Sequence, residues 1–234
     1  MKTREAVVLS AGIVLAAFIW GMFFYESKAE NTTIRVVGNA SKRFGTDTVK
    51  WRLSVMRATK TSVVSDEYSL VAADVEKIVS ELTSRGIDAD DIAVQPISTN
   101  EMFSREGGIS GYRVVQSLVV ITDKVDVIEG MAINPASILS KGIVVENSRL
   151  EYYYSNVDEL KRELLGDASR DARMRAEEIA GGSGEKVGAI RNARAGVFQI
   201  TEPYSTEVSG YGIYNTSSRE KEIKVTVHAE FALE

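Results

Sequence analysis

Residues 6–25 read AVVLSAGIVLAAFIWGMFFY, an apolar run without a single charge. At about 1.5 Å per helical residue, such a run matches the roughly 30 Å hydrocarbon core of a bilayer. Beyond it the pattern becomes periodic. Ile34-Arg35-Val36-Val37-Gly38 predicts a first strand, followed by a polar link from Asn39 to Thr46. Val49, Trp51, Leu53 and Val55 then alternate with Lys50, Arg52 and Ser54. Period two puts one set on a buried sheet face and the other in solvent. The period next lengthens: Val64, Tyr68, Val71, Val75, Ile78 and Leu82 recur at spacings of four and three, with Gly86 as a left-handed stop beyond them. That is the stripe of an amphipathic helix.

Further strands are predicted over 91–98 and 112–122, the second apolar on both faces as a central strand requires. Residues 125–141 predict a shorter helix interrupted at Asn134-Pro135, because proline lacks a donor and restricts the residue before it. Residues 143–145 and 150–154 read as extended. A long helix over 157–180 stops at Gly181-Gly182, and strands at 186–200 and 221–231 enclose a polar loop from Thr201 to Glu220. In the last strand Ile223, Val225, Val227, Ala229 and Phe231 alternate with Lys224, Thr226, His228 and Glu230. The order predicts an α+β fold: an antiparallel sheet with two long helices in βαββ-like units, preceded by one N-terminal transmembrane or signal helix. The two halves echo each other too irregularly to count as a sequence repeat.

Charge orients the N-terminal segment. Lys2 and Arg4 precede it while Glu26, Lys28 and Glu30 follow, a bias that favours a cytoplasmic N-terminus and an exported C-terminal part. The chain therefore divides into residues 1–29, a cytoplasmic tip with a membrane anchor or signal segment and short linker, and an exported domain over 30–234, periplasmic or extracellular. Ser27-Lys28-Ala29 offers small residues where a signal peptidase reads. The apolar run nevertheless exceeds the usual signal core of about 7–15 residues, and bulky Phe23, Phe24 and Tyr25 lie near the cut. An uncleaved anchor is expected, with a cleaved secreted form as the alternative.

Setting aside Lys2, Arg4, Lys28, Glu5 and Glu26 leaves 25 bases and 31 acids in the exported part, a net charge of −6. That balance argues against nucleic acid, whose binding needs a basic surface. The absence of cysteine excludes disulfides, thiolate metal sites and thiol nucleophiles. His228 is the only histidine and falls on the polar face of the last strand, so no Ser-His-Asp triad or multi-histidine metal site can be assembled around a second one. Gly181-Gly182-Ser183-Gly184-Glu185-Lys186 follows a helix and lacks the GxxxxGK[ST] order of a phosphate loop. Asp88, Asp90 and Asp91 lack the spacing of a calcium loop and read as a solvated turn. No catalytic residue, cofactor or metal ligand is assigned.

Two features point to surfaces instead. Leu160, Leu164, Ala168, Ala172, Ala176 and Ala180 form an i+4 row whose small members admit close packing, either on this chain's own sheet or against a helix of another subunit. Asp171 with Arg175 and Arg173 with Glu177 are placed for i+4 ion pairs around it. The 201–220 loop carries Tyr204, Tyr211 and Tyr214 among Gly, Ser and Thr, as a partner-binding surface or as a mere mobile hairpin.

Several short segments, in order, resemble the exported SIMPL-domain proteins, which include periplasmic immunogenic and oxidative-stress-defence proteins of Gram-negative bacteria. They are Val36-Val37-Gly38-Asn39-Ala40, Gly86-Ile87, Asp91-Ile92, Gly111-Tyr112, then Ala168, Ala172-Arg173, Ala176 and Ala180, and finally Val187-Gly188-Ala189-Ile190. Thr46-Asp47 departs from the family's common Pro-Asp, and Val63-Val64 from its alanines. The resemblance implies an α+β fold of βαββ-like units and ring-like oligomers with a channel-like opening. It also implies roles in the cell envelope and in oxidative-stress tolerance, without enzyme activity. The expected protein is a non-enzymatic envelope scaffold, a membrane-bound homo-oligomer held by residues 6–25. The competing reading is a monomeric exported module that recognises a small ligand or an envelope protein through the 201–220 loop.

Overall fold

The apolar run forms one helix, α1 (Thr3–Ala29), which continues unbroken through Ser27-Lys28-Ala29; its stretch Val7–Phe24 is long and apolar enough to cross a membrane, and none of it is buried against the rest of the chain. The structure, a computed structural model, describes residues 3–29, 32–60 and 64–234. Lys2, Glu30 and Val63, which entered the charge bias, the domain boundary and the family departure, lie outside the described residues.

Strands β1 (Thr33–Gly45) and β2 (Thr48–Thr59) are almost one extended run, broken at Thr46-Asp47, and the break passes the chain from one sheet to another. In between lie α2 (Ser65–Ser84), β3 (Ile92–Val94), β4 (Ser98–Phe103), β5 (Ile109–Thr122), α3 (Val125–Ile133), α4 (Ala136–Leu139) and β6 (Val144–Tyr153). The rest is α5 (Val157–Ser183), β7 (Val187–Ala195), β8 (Gln199–Thr201), β9 (Ile213–Tyr214) and β10 (Glu220–Leu233). In the first sheet β10 pairs along its whole length with β1, while β7 and β8 share its other edge and β9 adds parallel to β8. In the second sheet β5 pairs with β2 along one edge, with β3 and β4 sharing the other; β6 adds beyond β2.

The fold is α+β, and the single sheet expected is in fact two. Each has a long central strand, one long partner and two short strands end to end on the other side. The chain order β2-α2-β3-β4-β5 recurs as β6-α5-β7-β8-β10, but β6 joins the sheet of its counterpart β2 while β1 takes the place beside β10. This exchange of first strands explains why the halves echo without repeating.

Each sheet covers one face with its own helix. Trp51, Leu53 and Val55 on β2 and Leu118 on β5 pack with Val71, Val75, Ile78 and Leu82 of α2 and with Ile128, Met131 and Ile138 of the interrupted helix. Trp51 is fully buried, and its indole N–H donates to Ser148 Oγ at 2.9 Å. One charge enters this layer. Asp74 of α2 is 1 % exposed. It accepts from Arg57 of β2 at 2.7 Å on one carboxylate oxygen and from Lys77 at 3.2 Å on the other.

Several boundaries differ from the sequence pattern. Asn39 to Gly45 belongs to β1 because only alternate residues, Ala40 and Phe44, turn toward α5; the rest face solvent and read as polar link. Residues 91–98 split at Gln95-Pro96, and 186–200 splits at Gly196-Val197-Phe198. Residues 143–145 and 150–154 are parts of one strand, β6, with an irregular register where Asn147 and Val145 meet Ser54 and Val55. Helix α5 runs through Gly181-Gly182 to Ser183. It ends at Gly184, whose φ of +83° supplies the left-handed cap, and Glu185 N–H then donates to Ala180 O at 3.0 Å.

Candidate functional site

The first sheet has an inner face under α5 and an outer face with no helix on it. On the inner face Ile223, Val225, Val227, Ala229 and Phe231 of β10 meet Leu160, Leu164, Ala168, Ala172 and Ala176. Ala168, Ala172, Ala176 and Ala180 are 0–2 % exposed in the single chain. The alanine row is therefore buried within its own chain, with Ala168, Ala172 and Ala176 packed on its sheet, the first of the two readings of the row. Small residues are required there because β1 crosses very close. A Cβ added at Gly38 would lie 2.1 Å from Ala168 O and 2.4 Å from Ala172 N.

The two i+4 ion pairs of α5 form, Arg175 to Asp171 and Arg173 to Glu177, both at 2.8 Å. They also tie the helix to the strands. The Asn39 N–H, on the free edge of β1, donates to Asp171 at 2.7 Å, and Arg175 donates to Asn39 Oδ1 at 2.8 Å. The Asn39 N–H holds the Asp171 carboxyl below the usual carboxylate range, against burial and with help from Arg175. Arg173 reaches the carbonyls of Val187 and Gly188 at 3.3 Å. The segments around Gly38, Ala172 and Val187, far apart in sequence, thus converge on one strand–helix crossing.

On the outer face Arg35 and Val37 of β1, His228 and Glu230 of β10 and Arg194 of β7 line an open concavity of about 770 Å³, whose rim includes Gly210 of the tyrosine loop. Thr33 Oγ donates to Glu230 at 2.6 Å and Arg35 lies 3.2 Å from it; the hydroxyl first and the guanidinium second hold this carboxyl below its ordinary range. Arg35 and Glu230 therefore neutralise each other. Arg194 and His228, opposite one another in the β7–β10 register, are exposed, and their side chains have no hydrogen-bond or ionic partner among the described residues. His228 is thus one of two exposed basic side chains in this concavity, with no acid hydrogen-bonded to it among the described residues. Among the described residues no three His, Asp or Glu side chains converge on a metal-sized site.

The three tyrosines separate. Tyr204 lies under the Arg43 guanidinium, 4.2 Å from ring to carbon, and Arg43 donates to its hydroxyl at 3.2 Å. Tyr214 stacks on Tyr153 at 6.2 Å. Tyr211 is 100 % exposed at the tip, near exposed Glu207 and Val208. The loop is pinned at several points. Ile213 and Tyr214 pair with β8, the Gln199 side chain bonds both the N–H and the carbonyl of Ser209, and Lys224 donates to Ser205 O at 3.2 Å. Around the Ser209 tie, Thr206, Glu207, Val208, Gly210 and Tyr211 are exposed.

Beneath the loop, Lys221 occupies the first inward position of β10 and is fully buried. Its ammonium donates to Asn215 O and Ser218 O at 2.5 and 2.7 Å. Burial lowers its pKa to about 8, against a smaller opposing effect of Glu202. The unfolded chain keeps this proton up to about 10.5, so between pH 8 and 10 it binds more protons than the folded chain, and stability rises with pH over that window. The expected result is a thermal midpoint that climbs from pH 8 to 10 in the parent relative to Lys221→Met. Parallel pH curves for the two proteins refute it.

The sheets meet beside this lysine. Thr46 N–H donates to Arg219 O and Asp47 N–H to Tyr153 O, both at 3.1 Å, while Arg219 bridges Asp126 and Glu129 of α3 at 2.7 and 2.9 Å. Burial first, then a hydrogen bond to Glu129, pushes the Tyr152 hydroxyl up to about 12. Burial alone would raise Asp47, yet the O–H and N–H of Ser155 and the hydroxyl of Thr48 leave its carboxyl below the ordinary range. These groups are saturated by one another and fasten loop, strand and helix.

Sequence reasoning singled out the tyrosines and alanines and missed Arg194, Glu207 and Lys221. Lys221 carried a readable signal, since it shares the parity of Ile223 to Phe231. Arg194 and Glu207 carried none, because their freedom from partners is a property of the fold. In comparison with known proteins, a family model described as SIMPL, protein of unknown function (DUF541), matches residues 34–231. No curated protein matches the chain.

Proposed function

Because the chain belongs to the SIMPL family, we propose that it is a non-enzymatic scaffold of the cell envelope, held at a membrane by residues 6–25, whose exported part assembles with copies of itself. The observation that carries this reading is the outer face of the first sheet. A face without a covering helix, set with exposed Val37 and Val197 beside the exposed loop tip, suits association better than catalysis. The alanine row no longer supplies the interface; the open face replaces it. The membrane anchor and the charge bias around it support a C-terminal part outside the cytoplasm, periplasmic or extracellular. The ring-like assembly and the envelope and stress roles are those implied by the resemblance. Any link to oxidative stress is indirect, since six methionines are the only sulfurs.

Light scattering coupled to size exclusion of the full chain in detergent tests the reading. A discrete mass of two or more chains, stable on dilution, is expected; a monomer at every concentration overturns it. A second reading, a monomeric module that recognises an envelope protein or small ligand, is favoured by one observation, the fully exposed Tyr211 on a pinned loop.

A further inference from the structure

The outer face of the first sheet holds two exposed basic side chains with no partner among the described residues, Arg194 and His228, beside the apolar Val37 and Val197. The same chain exposes, on the tip at the rim of this concavity, an acid with no side-chain partner among the described residues, Glu207, followed at once by Val208, which is 81 % exposed. Floor and tip are complementary in both charge and polarity, yet each tip stands at the rim of its own concavity, where Gly210 is a lining residue.

A two-fold arrangement of two chains would set each tip against the floor of the other. Such isologous exchange is the commonest closed arrangement of identical chains. We propose that two copies of this chain pair through this face, the 206–211 tip of each seated in the concavity of its partner. The Glu207 carboxylate meets Arg194 and His228, Val208 lies on Val37 and Val197, and Tyr211 covers the rim. The inference rests on the assembling reading above and names its contact. Tyr204 and Tyr214 take no part in it, because Arg43 and Tyr153 already occupy them.

Charge reversal tests the contact in the full chain in detergent at low ionic strength, where exposed charges are least screened. The side chains of Glu207 and Arg194 are exposed and have no partner among the described residues, so neither reversal removes a bond seen there. Glu207→Arg alone and Arg194→Glu alone are expected to weaken self-association at least about tenfold, and the double variant Glu207→Arg/Arg194→Glu to restore it. If the parent associates and neither single reversal changes its mass distribution, this contact is overturned while assembly stands. Single losses without rescue in the double variant overturn the Glu207–Arg194 pairing. A parent that is monomeric throughout overturns both this contact and the scaffold reading.

Discussion

Gly38→Val is expected to destabilise the first sheet by about 3 kcal/mol, the upper end of what overpacking costs, because the obstruction is main chain. A Cβ at this position meets Ala168 O at 2.1 Å, Ala172 N at 2.4 Å and the Ala172 methyl at 2.7 Å. Neither a carbonyl nor an amide of α5 can rotate aside, and the helix cannot retreat without opening the row from Leu160 to Ala176 that packs on β10. Gly38→Ala carries the same Cβ and is expected to lose most of that stability. Gly45, in the same strand, serves as control. Its Cβ would approach only the end of the Glu220 side chain, at 3.2 Å, so Gly45→Ala is expected to be near neutral. Hydrogen exchange of the full chain localises the effect. Amides of β1, α5 and β10 should lose protection, while β2 and β5 in the second sheet retain theirs. Protection of β10 equal to the parent's in Gly38→Val refutes the crossing geometry.

That crossing shows how far the sequence could be read. The alternation of Val49 to Val55 and of Ile223 to Phe231 revealed both buried strand faces, and the i+4 row of α5 revealed which side of the helix packs. Local periodicity records whether a side chain is inward. It does not record what lies opposite, so the alanines read first as facing their own sheet and second as facing another subunit. Gly38 decides the matter, and in the sequence it stood only as the end of a predicted strand and as one residue of a family segment. The second sheet was hidden for a related reason. Strand exchange between β1 and β6 depends on which edges meet, and edge pairing leaves no trace in the inward pattern of either strand. At the candidate site the tyrosines drew notice by residue type, but two of the three are satisfied by Arg43 and Tyr153. The free groups, Arg194 and Glu207, look like ordinary surface charges until the fold shows that no side chain among the described residues answers them.

Asp74 offers a test in which the order of effects, more than any single value, carries the argument. Both carboxylate oxygens are answered, one by the Arg57 guanidinium at 2.7 Å and one by the Lys77 ammonium at 3.2 Å, while the carboxyl itself is almost wholly withdrawn from water. Arg57→Met strips one oxygen of its donors and leaves the charge buried. Breaking such a pair costs about 3–5 kcal/mol, and the lower end applies because Lys77 remains and the arginine is 30 % exposed. Asp74→Leu removes the buried group instead, and the partly exposed Arg57 can extend its head into solvent along an apolar stem. Its expected cost is smaller, about 1 kcal/mol. The double variant Arg57→Met/Asp74→Leu should come within about 1 kcal/mol of the parent, since two apolar side chains of similar length replace a pair whose attraction was offset by desolvation. Urea unfolding followed by fluorescence of Trp51, in a Trp20→Phe background, reads all three from the layer that contains the pair. Equal losses in the two single variants, with simple additivity in the double, would show that the carboxylate and guanidinium do not act as a unit.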